Sequence, residues 1–103
     1  MASNIKQREV ELVKQLRKGD LAAFDSLFNT YNKKLFYFAK GYLKSTEDAE
    51  GLVQEVFIKI WENRSTLKEH LSFNSYLYTI TYNSILKFFR KKGREKKKGG
   101  KAK

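Results

Sequence analysis

A chain of 103 residues with 41% hydrophobic content, eight Phe, six Tyr and one Trp holds enough apolar material for one compact core and not for two. It has no cysteine, which excludes a disulfide framework and a thiolate metal site, and no proline, which favours helices joined by short turns. The net charge of +11 is unevenly spread: residues 1–63 carry ten Lys/Arg against nine Asp/Glu, and residues 64–103 carry twelve against two, so the C-terminal part is expected to meet a polyanion, either nucleic acid or an acidic membrane surface.

Val10, Val13 and Leu16, with Leu12 beside them, predict a first helix from about Ile5 to Lys18. Gly19 ends it, and Arg17 and Lys18 suit the negative end of its dipole. Asp20 is placed to cap a longer second helix reaching about Leu43, with Phe24, Leu27, Phe28, Tyr31, Leu35, Phe38 and Tyr42 spaced by three and four. Ser45 opens S-T-E-D, a capping box with Asp48 in place of the usual Glu, and Glu47, Asp48 and Glu50 lie where the dipole favours anions.

This third helix is expected to run to about Asn63, with Ala49, Leu52, Val53, Val56 and Ile60 in one core stripe. Its other side carries Asp48, Gly51, Gln54, Glu55, Ile58 and Glu62, with Phe57 and Trp61 at the flanks. Ile58 among polar neighbours is either an ordinary exposed aliphatic residue or part of an acidic, partly apolar surface that docks another protein.

Residues 64–71 read as a polar connection, and Ser72 caps a fourth helix from Phe73 to about Lys92. Phe73, Leu77, Ile80, Thr81, Ser84 and Phe88 form its apolar stripe, widened by Tyr78, Ile85 and Phe89. The remaining face holds Tyr76, Thr79, Asn83, Lys87 and Arg90. A ring stacks on bases, an amide reads base edges and cations follow phosphates, so this face suits single-stranded nucleic acid; a solvated helix face is the plain alternative. The polycation that follows, KKGREKKKGGKAK from Lys91, favours the nucleic-acid reading. The expected fold is thus all-α: a compact bundle of about four helices over residues 1–92, with 93–103 a disordered basic tail or the start of an interdomain linker.

Other classes find little support. The N-terminus has no apolar core of a signal peptide, and no run reaches the ~18 apolar residues of a spanning helix, so a cytoplasmic, membrane-free protein is expected. Residues Tyr76 to Lys98 have the composition of an interfacial helix, but their apolar face is needed to close the bundle. His70 is the sole histidine, there is no phosphate-binding G-x-x-x-x-G-K loop, and capping accounts for Glu47, Asp48 and Glu50. No catalysis, metal or cofactor is expected.

Three stretches carry a family resemblance: A-F-D-S-L-F-N-T-Y (23–31), E-D-A-E-G-L-V-Q-E-V-F-I-K-I-W (47–61) and F-N-S-Y-L-Y-T-I-T-Y-N-S-I-L-K-F-F-R-K-K (73–92). Together they resemble region 2 of extracytoplasmic-function sigma factors, from about Asp20 to Lys92. In that family, region 2 binds the clamp-helix coiled coil of the largest RNA polymerase subunit and captures the melted non-template strand of the minus-ten promoter element. The resemblance implies core-polymerase docking by Asp48, Gln54, Glu55 and Ile58. It implies promoter DNA contacts from Phe73 and Tyr76 near the melting point, then Thr79, Asn83 and Lys87, with Arg90, Lys91 and Lys92 following the backbone. It also implies an anti-sigma factor as a further partner. A general basic nucleic-acid binder without a polymerase partner is the alternative.

The sequence departs from the family pattern at four of these places. Gly51 stands where an acidic residue is usual, Tyr76 where Trp is frequent, and Thr79 and Tyr82 where Arg is often found. Family members usually continue into a helix-turn-helix domain, so the chain reads as an excised domain or a stand-alone relative.

Overall fold

Gly19, at φ +90°, turns the chain sharply after the first helix, in a conformation that costs little only without a Cβ. The amides of Gly19 and Asp20 donate to the carbonyls of Leu16 and Gln15 at 2.9 and 3.1 Å, satisfying the helix end. In the computed structural model, which describes the backbone of residues 2–68 and 71–101 and the side chains of 7–68 and 71–93, this turn joins α1 (Ala2–Arg17) to α2 (Leu21–Leu43). The Asp20 carboxylate accepts from the amides of Ala22 and Ala23 at 2.9 and 3.4 Å, the cap expected there.

A left-handed Lys44 closes α2, and Ser45 caps α3 (Thr46–Glu62) by accepting from the Asp48 amide at 3.2 Å. A short 3₁₀ turn, Arg64–Thr66, follows. The Ser72 hydroxyl then accepts from the Ser75 amide at 3.2 Å at the start of α4 (Phe73–Lys101). Helix α4 extends past the end expected near Lys92. The side chains of the expected tail beyond Gly93 and the loop position of His70 fall outside the described residues.

Helix α2 packs most extensively on α3, α1 covers α2 and touches the 3₁₀ turn, and α4 closes the bundle across both α2 and α3. All five residues of the predicted α3 stripe are buried, as are Val13, Leu16, Leu27, Tyr31 and Leu35. The all-α bundle of four helices is therefore the fold the periodicity predicts. Three details differ. Phe57, expected at a flank, is buried at 3% because Phe24 and Phe28 of α2 reach over it with ring centroids 6.1 and 4.9 Å away. Leu67, in the connection read as polar, is buried at 5% and anchors it to the core. Tyr42 and Phe89, assigned to apolar stripes, are nearly half exposed; Tyr42 meets the ring of Tyr82 on α4, which is itself exposed.

Buried polar groups are accounted for inside the chain. Thr81 donates to the Leu77 carbonyl at 2.7 Å, and no buried side-chain nitrogen or oxygen among the described residues lacks a partner. No described helix is long and apolar enough to cross a membrane, and no described cluster of His, Asp or Glu could hold a metal ion.

Candidate nucleic-acid and docking faces

The eight residues expected to meet DNA do not form one surface. Tyr76, Thr79, Asn83 and Arg90 are exposed on α4 and, at about 100° per residue, share a sector about 60° wide. This stripe joins a phenol ring, a hydroxyl, an amide and a guanidinium. The Thr79 hydroxyl donates to the Ser75 carbonyl at 2.9 Å, so towards solvent it presents an acceptor. Phe73 lies elsewhere: it is buried at 4%, with its ring 5.8 Å from that of Tyr31. Lys92 is about 160° around the helix from Arg90, with its ammonium 5.5 Å from the Phe88 ring. Lys87, about 20° around the helix from Tyr76, borders that sector and with Lys91 lines the side that faces α3.

On α3, Gln54 and Ile58 point outward, and Ile58 is 56% exposed. Glu55 and the half-buried Asp48 lean towards α4, so the four predicted docking residues share one continuous side. An open groove of about 820 Å³ runs between the two helices. Carboxylates of Glu47, Asp48 and Glu55, with Lys59 at the far end, line one wall and Lys87 and Lys91 the other, over a floor that includes Leu52 and Phe88. No ion pair between described residues crosses it. Sequence reasoning placed Glu55 and Lys87 on separate functional faces. The spacing by four of Glu47, Gly51 and Glu55, and of Lys87 and Lys91, marks each row, but only packing shows that the rows oppose one another.

Two further features lay beyond the sequence reading. Phe38, Tyr42, Tyr78 and Tyr82 form a chain of edge-to-face rings with centroids 5.1–5.9 Å apart, bracing α2 against α4 beside the exposed stripe. The Arg64 guanidinium lies 4.2 Å from the Trp61 ring centroid and donates to the Trp61 carbonyl at 2.8 Å, closing the end of α3.

The Sigma-70 region 2 family matches residues 27–95, which include α3, the connection and the exposed stripe of α4. The chain belongs to that family. It is 32% identical over 80 residues to the ECF RNA polymerase sigma factor SigW of Bacillus subtilis, a match that covers 78% of this chain and 43% of SigW. It is 31% identical over 83 residues to the ECF RNA polymerase sigma-E factor of Escherichia coli strain K12, covering 81% of this chain and 43% of that protein. The chain thus spans less than half the length of these relatives. An engineered region 2 of sigmaE, solved by NMR in complex with GTAAAA, superposes with a TM-score of 0.78 at 30% identity, covering 84% of this chain and 90% of that one. A sigma-70 region 2 is a module of transcription initiation and not an enzyme.

Proposed function

We propose that this region 2 opens promoters by holding unpaired minus-ten DNA on the exposed stripe of α4 while α3 docks on core RNA polymerase. The observation that carries the DNA part is the alignment of Tyr76, Thr79, Asn83 and Arg90 on one solvent-facing sector. Tyr76 is 37% exposed, enough to offer a ring to an unstacked base. Asn83 offers both donors and an acceptor to a base edge, and Arg90 faces the phosphates. Phe73 acts from beneath, holding the first turn of α4 on Tyr31. The solved sigmaE region 2 in complex with GTAAAA supports this reading.

The polymerase part rests on the exposed side of α3, with Gln54, Glu55 and Ile58 in reach of a partner and Asp48 beside them. The clamp helices of the largest subunit are the proposed partner, and an anti-sigma factor is proposed as a competitor for the same module. The work is done by differential affinity: bases splayed onto the protein offset the cost of unpairing.

The test is capture of a GTAAAA oligonucleotide by the chain bound to core polymerase. Tyr76→Ala should weaken capture by about 1–3 kcal/mol, on the order of 5- to 150-fold, if the ring stacks on a base. Unchanged affinity would remove Tyr76 from the site. Binding of any duplex regardless of polymerase would indicate a general basic nucleic-acid binder instead.

A further inference from the structure

We propose that the groove between α3 and α4 seats a helix of the docking partner, which gives Lys91, and Lys87 at the border of the DNA stripe, to the protein-docking surface. The inference rests on the polymerase-docking reading and extends it to a second helix of this chain.

Charge argues first. A nucleic-acid strand laid on Lys87 and Lys91 would run along Glu47, Asp48 and Glu55 on the facing wall, three carboxylates against the one cation of Lys59 there, and a net negative wall repels phosphate. A partner with cations on one edge and carboxylates on the other satisfies both walls at once. The walls leave their charges for such a partner, because no ion pair between described residues spans the groove.

Shape argues next. Gly51 lines the groove in the interior of α3, and a Cβ built there meets nothing within 4 Å. Glycine is unfavourable in a helix interior, and nothing inside this fold requires it at this position. What it provides is room for another backbone to come close. A trough between two helices is filled by a third helix whose side-chain ridges enter it, and Leu52 and Phe88 supply an apolar floor. The occupant is therefore an amphipathic protein helix: Lys or Arg towards α3, Asp or Glu towards α4, and an apolar stripe between.

The experiment measures affinity for purified bacterial core RNA polymerase with no DNA present. Lys87→Glu with Lys91→Glu should cost at least tenfold, while Lys33→Glu with Lys34→Glu, exposed on α2 away from the groove, should change affinity by no more than about twofold. Helicity and melting temperature of the free variants are measured alongside, and equal values assign the loss to docking. Glu55→Lys combined with Lys87→Glu separates docking from a structural pairing of the walls. It should bind as poorly as the worse single variant, because the partner's charges then meet the wrong wall. Recovery in that double variant would overturn the proposal. So would unchanged polymerase affinity in the Lys87, Lys91 variant, and weaker GTAAAA capture in the polymerase complex would then return both lysines to the DNA face. Loss of binding on Ile58→Ala with none on Lys87→Glu and Lys91→Glu rejects the groove alone. Failure of the parent chain to bind polymerase rejects the docking reading itself.

Discussion

The Tyr31 hydroxyl of α2 donates to the Glu9 carboxylate of α1, a polar tie between two packed helices. Burial first, then the bond to Glu9 and the nearness of its negative charge, hold the Tyr31 hydroxyl well above the usual phenol value of 10.0. Tyr31→Phe should cost about 1.5–3 kcal/mol at pH 7, the worth of a hydrogen bond to a charged group. The pH dependence has a definite sign. Because the folded value is raised, the contribution is complete below the unfolded value near 10 and is lost as pH rises towards the folded one. Urea unfolding of parent and variant at pH 7 and pH 10.5 checks this: the stability gap should narrow at the higher pH. An equal gap at both would refute the tie.

Phe73 gives a second prediction, because the family pattern associates it with DNA whereas the structure buries it at 4%. Phe73→Ala should destabilise the bundle by about 3–5 kcal/mol, as large-to-small changes of buried aromatics do. Phe73→Leu should keep the fold with a smaller loss and leave GTAAAA capture within about twofold of the parent. Chemical denaturation and oligonucleotide titration of the two variants separate the roles. A Leu variant that folds normally and fails to capture DNA would make Phe73 a direct contact.

The four helices were legible in the sequence because each stop and start has a local chemical cause. Gly19, Asp20, Ser45 and Ser72 act within three residues of themselves. The α3 core stripe was legible because one helix face decides it. The places that were not legible depend on two elements at once. Phe57 is buried by aromatics of another helix, Tyr42 stays exposed because the ring it meets on α4, Tyr82, is itself at the surface, and Leu67 is drawn inward from a segment without periodicity. The site follows the same division. Tyr76, Thr79, Asn83 and Arg90 align by helical spacing alone, whereas the groove exists only where α3 meets α4.

Two glycines should respond in opposite directions to the same substitution. Gly19 stands at φ +90°, so Gly19→Ala forces a Cβ into the left-handed region and should cost about 1–2 kcal/mol. Gly51 is helical with open space where a Cβ would go, so Gly51→Ala should add about 0.5–1 kcal/mol. At this chain length each kcal/mol moves the melting temperature by roughly 4–8 °C, well within reach of calorimetry. A shift of the same sign in both variants would contradict the backbone assignments.

Salt dependence tests the sorting of the cations on α4. Each phosphate neutralised on a single strand contributes a slope of about −0.7 in the logarithm of affinity against the logarithm of salt concentration. Arg90 shares the sector of Tyr76 and Asn83, so Arg90→Ala should make the slope shallower by about 0.7 for an oligonucleotide of about twelve nucleotides containing GTAAAA. Lys92 lies on the far side of the helix against Phe88, so Lys92→Ala should leave the slope within measurement error. Titrations between about 50 and 200 mM salt in the polymerase complex decide the matter. If both variants lost the same slope, α4 would be acting as an unspecific cationic rod, and the exposed stripe would lose its claim to position the strand. If Arg90 alone did so, the strand would be confined to the one sector of α4 where ring, amide and guanidinium coincide.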